Sequence, residues 1–263
     1  MLDGSTVRRL GDRWGVSPMT AWRRIERTLP KEIEVGTVVA RRDLKSLSLI
    51  LLDAKHFRVY RKKYTLYVAF DFLACRPCAW VLLEASEKRE GYDVLLVEIH
   101  ASRARILAVI SDWHHTIRAS VSDWFPDAVH QRCAAHLLQD IFRKICGKRL
   151  LATPRGKVVW KKVRKVVLEY DNIKPAQRYL GIIRKLYPEY TLAWNACERG
   201  LRGIYEWTKR RDLPIPRTSN KIENFMGVLE QRLKSMRTSK SATMLIRIVT
   251  AYIKVKYKRP TKE

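Results

Sequence analysis

Residues 110–136 read ISDWHHTIRASVSDWFPDAVHQRCAAH, and the change of period within this stretch decides the fold. In front of it, Ile106 to Ile110 are uninterruptedly apolar, as a strand buried on both faces requires. After it turns at Asp112, the chain carries Ile117, Val121, Trp124 and Phe125 at helical spacing, so a strand gives way to an amphipathic helix. Pro126-Asp127 stops that helix, Ala128 to Gln131 is short and strand-like, and Cys133-Ala134-Ala135-His136 opens a second helix. A carboxylate at the C-terminal edge of a buried strand stands where open α/β sheets place their ligands and chemistry. The competing reading of Asp112 is a helix cap.

Upstream, Ser46 to Asp53 (SLSLILLD) repeats the pattern: a buried-strand run that ends in a carboxylate. Phe57 to Tyr60, a basic turn at Arg61-Lys62-Lys63, the β-rich Tyr64 to Leu73, and Ala79 to Glu84 continue it as an antiparallel meander. Gly91 to His100 predicts a helix with Leu95, Leu96 and Ile99 inward. The order is then strand, strand, strand, helix, strand, helix, strand, helix.

At the N-terminus, residues 1–30 contain a helix-turn-helix pattern. Val7, Leu10 and Trp14 line a first helix, Gly15-Val16-Ser17 makes the turn, and Ser17 or Pro18 starts a second helix with Trp22 and Ile25. A recognition helix would turn Met19, Thr20 and Arg23 toward base edges and leave Arg24 and Arg27 for phosphates. The alternative is an ordinary basic helical hairpin. Residues 31–45 read as a linker and 46–146 as the first part of an α/β core. Residues 147–212 shift to basic helix and read as an insertion, with Val159, Val163, Val166 and Val167 on one stripe, Tyr179, Leu180, Ile183 and Leu186 on a second, and Trp194, Cys197, Leu201 and Ile204 on a third. Residues 213–263 form the last part of the core. There Leu213-Pro214-Ile215-Pro216 breaks the insertion, Thr218-Ser219-Asn220 caps a helix striped by Ile222, Phe225, Met226, Leu229, Leu233 and Met236, and Ala242 to Lys256 is a final helix before a basic tail.

The 263 residues include 53 Lys and Arg against 26 Asp and Glu, a formal net charge of +27. Such a surplus points to a polyanionic partner, nucleic acid first. A basic membrane-surface protein is the rival class, but no long uncharged apolar run and no lipidation motif accompany the charge, and the N-terminus does not read as a signal peptide. The five cysteines, Cys75, Cys78, Cys133, Cys146 and Cys197, are odd in number and scattered. That favours free thiols in a reducing compartment over a disulfide framework.

Asp53 and Asp112 at the ends of adjacent buried strands, with Glu223 in the first turn of a later helix, would make a pocket of hard oxygen ligands suited to Mg²⁺. Two such ions, about 3.5 to 4 Å apart, activate an attacking oxygen and stabilise the leaving one in phosphodiester displacement. Glu223 also fits a capping box with Asn220 as N-cap. Zinc is the rival chemistry, since His114, His115, His130, Cys133 and His136 crowd into a short span, although no four-ligand set is obvious. Cys75-Arg-Pro-Cys78 has ligand spacing but no second pair, and reads as a plain turn.

These residues resemble those of the DDE transposases of the Mutator-like (MULE) superfamily and the related bacterial and archaeal insertion-sequence enzymes. The resemblance is carried by Asp53 in LILLDAKHF, Asp112 in AVISDWHHTI, the following FPDAVHQRCAAH with its Cys133-x-x-His136 motif, and Glu223 in RTSNKIENFMGVLEQRLK. It covers roughly residues 46 to 250. It implies an RNase H-like α/β core, a mixed sheet flanked by helices, with Asp53, Asp112 and Glu223 binding Mg²⁺ (or Mn²⁺), two ions in all. It further implies cleavage at the ends of a mobile element and strand transfer into target DNA, a homo-oligomer on DNA, no membrane partner, and a cytoplasmic, nucleoid-associated location. Cys133 and His136 would stand near the active site. Relatives often have a small residue such as Gly where this chain has Trp113, and the region before the core is short here. The competing functions are a non-catalytic DNA-binding descendant of such an enzyme and an RNase H-like nuclease.

Overall fold

The computed structural model describes residues 7–41, 43–145, 149, 151–236 and 241–257, with backbone alone at 234–236. Cys146, the first six residues of the N-terminal segment and the end of the basic tail lie outside the described residues. In chain order the elements are α1 (Val7–Trp14), α2 (Pro18–Thr28), β1 (Val39–Ala40), β2 (Leu49–Val59), β3 (Lys62–Asp71), β4 (Arg76–Leu83), α3 (Arg89–Ala101), β5 (Ala108–Ser111), α4 (His115–Trp124), β6 (Val129–Arg132) and α5 (Ala134–Lys144). Then follow α6 (Pro154–Leu168), α7 (Ile173–Leu186), α8 (Thr191–Ile204), α9 (Asn220–Met236) and α10 (Ala242–Lys256).

Six strands make one mixed sheet in the order β1-β4-β3-β2-β5-β6. β4 pairs antiparallel with β3 and with β1, whereas β5 runs parallel to both β2 and β6. A meander that continues into parallel strands through crossover helices is the RNase H-like α/β arrangement implied above. Three details differ from the sequence reading. β2 does not stop at Asp53 but runs on to Val59, because the hairpin turn falls at Tyr60 and Arg61, both at positive φ (48° and 66°). Two consecutive left-handed residues twist the chain as a two-residue hairpin needs, although neither is the Gly or Asn that signals it. The supposed linker contributes β1, whose Val39 and Ala40 pair with Trp80 and Ala79. Trp14 is not on the apolar face of α1: it ends the helix at the Gly15 turn and is 42% exposed.

By contacts the chain falls into two compact units. The first comprises residues 1–47, 52–104 and 220–263. Its core joins Leu66 to Phe70 and Cys78 to Leu82 with Tyr92, Leu95, Leu96 and Ile99 of α3, and with the buried stripes of α9 and α10. The Trp80 indole donates to Thr250 Oγ1 of α10 at 2.9 Å, which satisfies the one polar atom of a buried tryptophan. Cys78 is buried in β4 and Cys75 is exposed in the preceding turn, so the Cys-x-x-Cys spacing is that of a turn entering a strand. The second unit comprises residues 48–51 and 105–219. Here α5, α6, α7 and α8 share one apolar core, with Val159, Val163, Trp194, Cys197 and Leu201 fully buried. Leu186 leaves its predicted stripe and is exposed at the C-terminus of α7.

Gly91 fixes how α3 meets β3. A β-carbon there would lie 2.1 to 2.6 Å from the ring of Tyr67, whose hydroxyl accepts from Lys88 N–H at 2.9 Å and whose ring meets Tyr92 edge-on at 4.9 Å. The ring is held from two sides and cannot retreat. Gly91→Ala is expected to destabilise the protein by about 1–3 kcal/mol, checked as a lower midpoint in urea-induced unfolding followed by circular dichroism.

Candidate active site

Within the second unit, the parallel ladder sets the position of Asp112. Leu49, Ile50 and Leu51 pair with Ala108, Val109 and Ile110, and Ala108 to Ser111 pair with Val129 to Arg132. A parallel strand needs neighbours and apolar cover on both faces, and β5 has no exposed residue. Asp112 follows directly, half-buried, with Oδ1 accepting the His114 N–H at 2.9 Å. This is a local turn before α4 rather than a helix cap, since the residue preceding α4 is His114.

Trp113 sits at φ 69°, a region that costs a bulky L-residue of order 1–3 kcal/mol and that Gly enters freely. The Gly that the resemblance leads one to expect here would take this conformation without that cost. In this chain the conformation is held by contacts. Trp113 N–H donates to Ser111 Oγ at 3.1 Å. Its ring lies where any β-carbon on Gly203 of α8 would be, 1.3 to 2.1 Å from three ring atoms. The Arg118 guanidinium lies 4.9 Å from the ring centroid and that of Arg132 lies 6.0 Å from it, the geometry of cation–π attraction. Arg132 also bonds Asp140 at 2.7 Å. Burial lowers its pKa, opposed by the carboxylates of Asp140 and Asp112.

His130 bonds Ser111 Oγ through Nε2 at 2.9 Å and meets the Trp113 ring edge-on. Burial first, and then Arg118, pushes its pKa down from 6.5 to about 4. Gln131 is fully buried and uses its whole amide: Nε2 donates to the carbonyls of Ile204 and Arg132 at 2.8 and 2.9 Å, and Oε1 accepts the Trp207 N–H at 2.9 Å. Cys133 N–H donates to the Ser111 carbonyl at 2.7 Å, and its sulfur receives the Ser219 N–H and hydroxyl at 3.3 and 3.1 Å. Burial alone would raise the Cys133 thiol, but hydrogen bonds from His136 and Ser219 outweigh it and the net shift is downward. Cys133 and His136 are therefore joined to each other. The zinc alternative is not supported by the other histidines: His130 is bound to Ser111, the His114 ring lies tilted against His115 at 4.2 Å, and no three of these five side chains gather as ligands among the described residues.

In the first unit, Asp53 is half-buried on β2 and its Oδ1 accepts the Ala54 N–H at 2.9 Å. Glu223 is half-buried in the first turn of α9. That helix begins at Asn220, so Asn220 is its first residue and not the cap of the predicted capping box. Lys55 Nζ meets Glu230 Oε2 at 2.7 Å and so ties β2 to α9. Asp53 precedes Lys55 by one pleat repeat and Glu223 precedes Glu230 by two helical turns, so each carboxylate shares the face of a residue in that pair. On α2, Arg23, Arg24 and Arg27 are exposed, whereas the Thr20 hydroxyl is bonded to Ser17 Oγ at 2.9 Å.

Sequence reasoning missed Gly203, Gln131 and Ser219. The signal for the first was present: Gly200 and Gly203 stand one turn apart on α8, and a β-carbon at Gly200 would strike Leu137 at 2.4 Å, so paired helical glycines mark close approach.

Fold and site together define an RNase H-like α/β protein whose parallel strands lead into a carboxylate loop. The family model described as "Transposase, Mutator family" matches residues 79–258, and the chain belongs to that family. Among solved structures it is similar, at 12% identity and TM-score 0.28, to a chain of the simian T-cell lymphotropic virus intasome in complex with PP2A regulatory subunit B56 gamma, over 58% of this chain and 63% of that one. It is also similar to the HTLV-2 integrase catalytic core domain in complex with magnesium. In the dimeric form the identity is 15% and the TM-score 0.27, over 47% of this chain and 90% of that one; the trimeric form gives 15% and 0.28, over 46% and 84%. No match is found among curated proteins. No helix among the described residues is long and apolar enough to cross a membrane.

His130 makes stability pH-dependent. A histidine whose folded pKa lies below its unfolded value contributes stability that is complete above 6.5 and is lost as pH falls toward 4. The loss attributable to this group is expected to reach at most about 3 kcal/mol. Urea unfolding of the wild type and of His130→Gln between pH 7 and 4 checks it: the variant's stability should fall less steeply.

Proposed function

We propose that this protein is a DNA transposase of the DDE type, in which Asp53, Asp112 and Glu223 hold divalent metal ions, Mg²⁺ or Mn²⁺. The observation that carries the reading is register. Leu51 and Ile110 are the last parallel pair of β2 and β5, and Asp53 and Asp112 each follow by two residues, so both carboxylates succeed the same rung of the sheet. The Lys55–Glu230 ion pair supports adding Glu223. The chemistry of the donor set fits: carboxylates from three segments supply hard oxygen ligands and leave positions for water and phosphate. When bound, such ions activate the attacking oxygen and stabilise the leaving one. The protein's own residues orient the carboxylates and bind the DNA. Membership of a transposase family supports taking as substrate DNA at the ends of a mobile element and at a target site, acted on by a homo-oligomer.

Asp53→Asn, Asp112→Asn and Glu223→Gln are each expected to lower cleavage and strand transfer of end-containing DNA by at least about a thousandfold while DNA binding and folding are kept. Glu230→Gln, which removes the charge from a partly exposed ion pair with Lys55, is expected to retain activity within a few-fold. Full activity in any of the three carboxylate variants would refute the assignment.

The charge surplus and the helical pair α1–α2 supply the DNA-binding half of the proposal. Duplex affinity is expected to drop at least about tenfold between 50 and 200 mM salt, as several counterions are released. Arg23→Ala should lower discrimination between end DNA and random DNA, whereas Arg27→Ala should weaken both alike. Competition binding assays separate the two effects, and unchanged discrimination after removal of the whole segment would exclude it as the reader. Thr20 is the weaker candidate, because its hydroxyl already serves the start of α2.

A further inference from the structure

Immediately after Asp112 the chain adopts a backbone conformation that its own residue disfavours. Trp113 at φ 69° is a bulky side chain in a region that glycine would occupy without strain, and a fold keeps such a residue only where its surroundings impose it. What imposes it is the helical bundle. Trp113's ring fills the hollow left by the missing side chain of Gly203 on α8, within 1.3 to 2.1 Å of where a β-carbon would be. α8 is in turn fixed against α5, where the Leu137 side chain lies within 2.4 to 3.1 Å of the place a β-carbon on Gly200 would take. Gln131 bonds the last carbonyl of α8, Ile204, to the strand beside Asp112. Arg118 and Arg132 close on the ring from α4 and β6. Three elements, α4, β6 and α8, therefore meet at one indole.

From this juxtaposition we infer that Trp113 is a positioning residue for the Asp112 carboxylate, and that Gly203 is the socket through which the helical bundle sets it. The inference rests on the proposed reading of Asp112 as a metal ligand. Groups that orient a ligand without touching the metal typically change affinity by 10–100-fold when lost. The bundle's contribution is then not only a surface added to the core: it holds the turn that carries a ligand.

The test uses the full chain and Mn²⁺ alone as probe, with bound ion read from the loss of the free Mn²⁺ electron paramagnetic resonance signal and folding read by circular dichroism. Trp113→Gly removes the ring and permits the same backbone; Gly203→Ala expels the ring; both are expected to weaken Mn²⁺ binding by about tenfold. The double variant W113G/G203A is expected to match W113G, because with no ring to house the added methyl has nothing to displace. Should G203A fail to fold, W113G and the double variant carry the comparison. Unchanged Mn²⁺ affinity in folded W113G, or a G203A loss that adds in full to that of W113G, would overturn the inference. Asp112→Asn separates the two levels. If it abolishes part of the Mn²⁺ binding while W113G does not weaken it, the positioning role alone fails; if D112N leaves binding unchanged, the metal-ligand reading fails and takes the inference with it.

Discussion

Parallel pairing of β5 with the start of β2 is the constraint on which the rest depends. A strand in a parallel arrangement needs apolar cover on both faces, and β5 meets this with four buried residues between Leu49–Leu51 and Val129–Arg132. A pairing shifted by one residue would turn Val109 and Ile110 to opposite faces and carry Asp112 with them. The registration that buries the apolar run therefore also decides where the carboxylate emerges. Stability and the proposed chemistry use the same hydrogen bonds.

Around that rung, polar groups do the work that apolar packing does elsewhere. Gln131 is buried at the centre of the second unit and leaves no amide atom without a partner. Arg217 caps the end of α6 by donating to the carbonyls of Val167 and Leu168 at 2.6 and 2.5 Å, with its guanidinium 5.3 Å from the Tyr205 ring centroid, and the Tyr205 hydroxyl donates to the Val166 carbonyl at 3.1 Å. Helix ends leave four carbonyls without intrahelical partners, and burial makes each one costly. Side chains from the segment between α8 and α9 satisfy three of these at α6. The loop that leads back to the α/β core is thereby bound to the bundle by directional bonds.

Much of the fold was legible because it is written in period. The all-apolar runs of β2 and β5, the stripes of α6, α8, α9 and α10, and the order of strands and helices follow from spacing alone. What period cannot show is where a strand ends when its far half is amphipathic: β2 continues past Asp53 through Lys55, His56 and Arg58, where no apolar run marks it. The hairpin at Tyr60-Arg61 lacks the glycine that announces such turns. Of the candidate site, the individual carboxylates and the Cys133–His136 pair could be picked out on the chain, because strand-end acids and a short Cys-x-x-His spacing are local patterns. The supports could not. Gly203 and Trp113 are 90 residues apart, and nothing in either residue's neighbourhood names the other; their complementarity is one of shape.

The first unit is assembled from three separated stretches, 1–47, 52–104 and 220–263. Its core closes only when α9 and α10 arrive: the Trp80 indole waits for Thr250, and Arg247 reaches back to the carbonyls of Lys31 and Ile33 at 2.7 and 3.1 Å. On the ribosome, β3 and β4 are synthesised long before α9 and α10, with residues 105–219 made in between. At about 5–20 residues per second, β3 and β4 must wait roughly 8–33 seconds for the residues up to 250. The order of synthesis thus separates the two halves of the first unit's core by the whole length of residues 105–219, and that core stays open to water until α9 and α10 have been made.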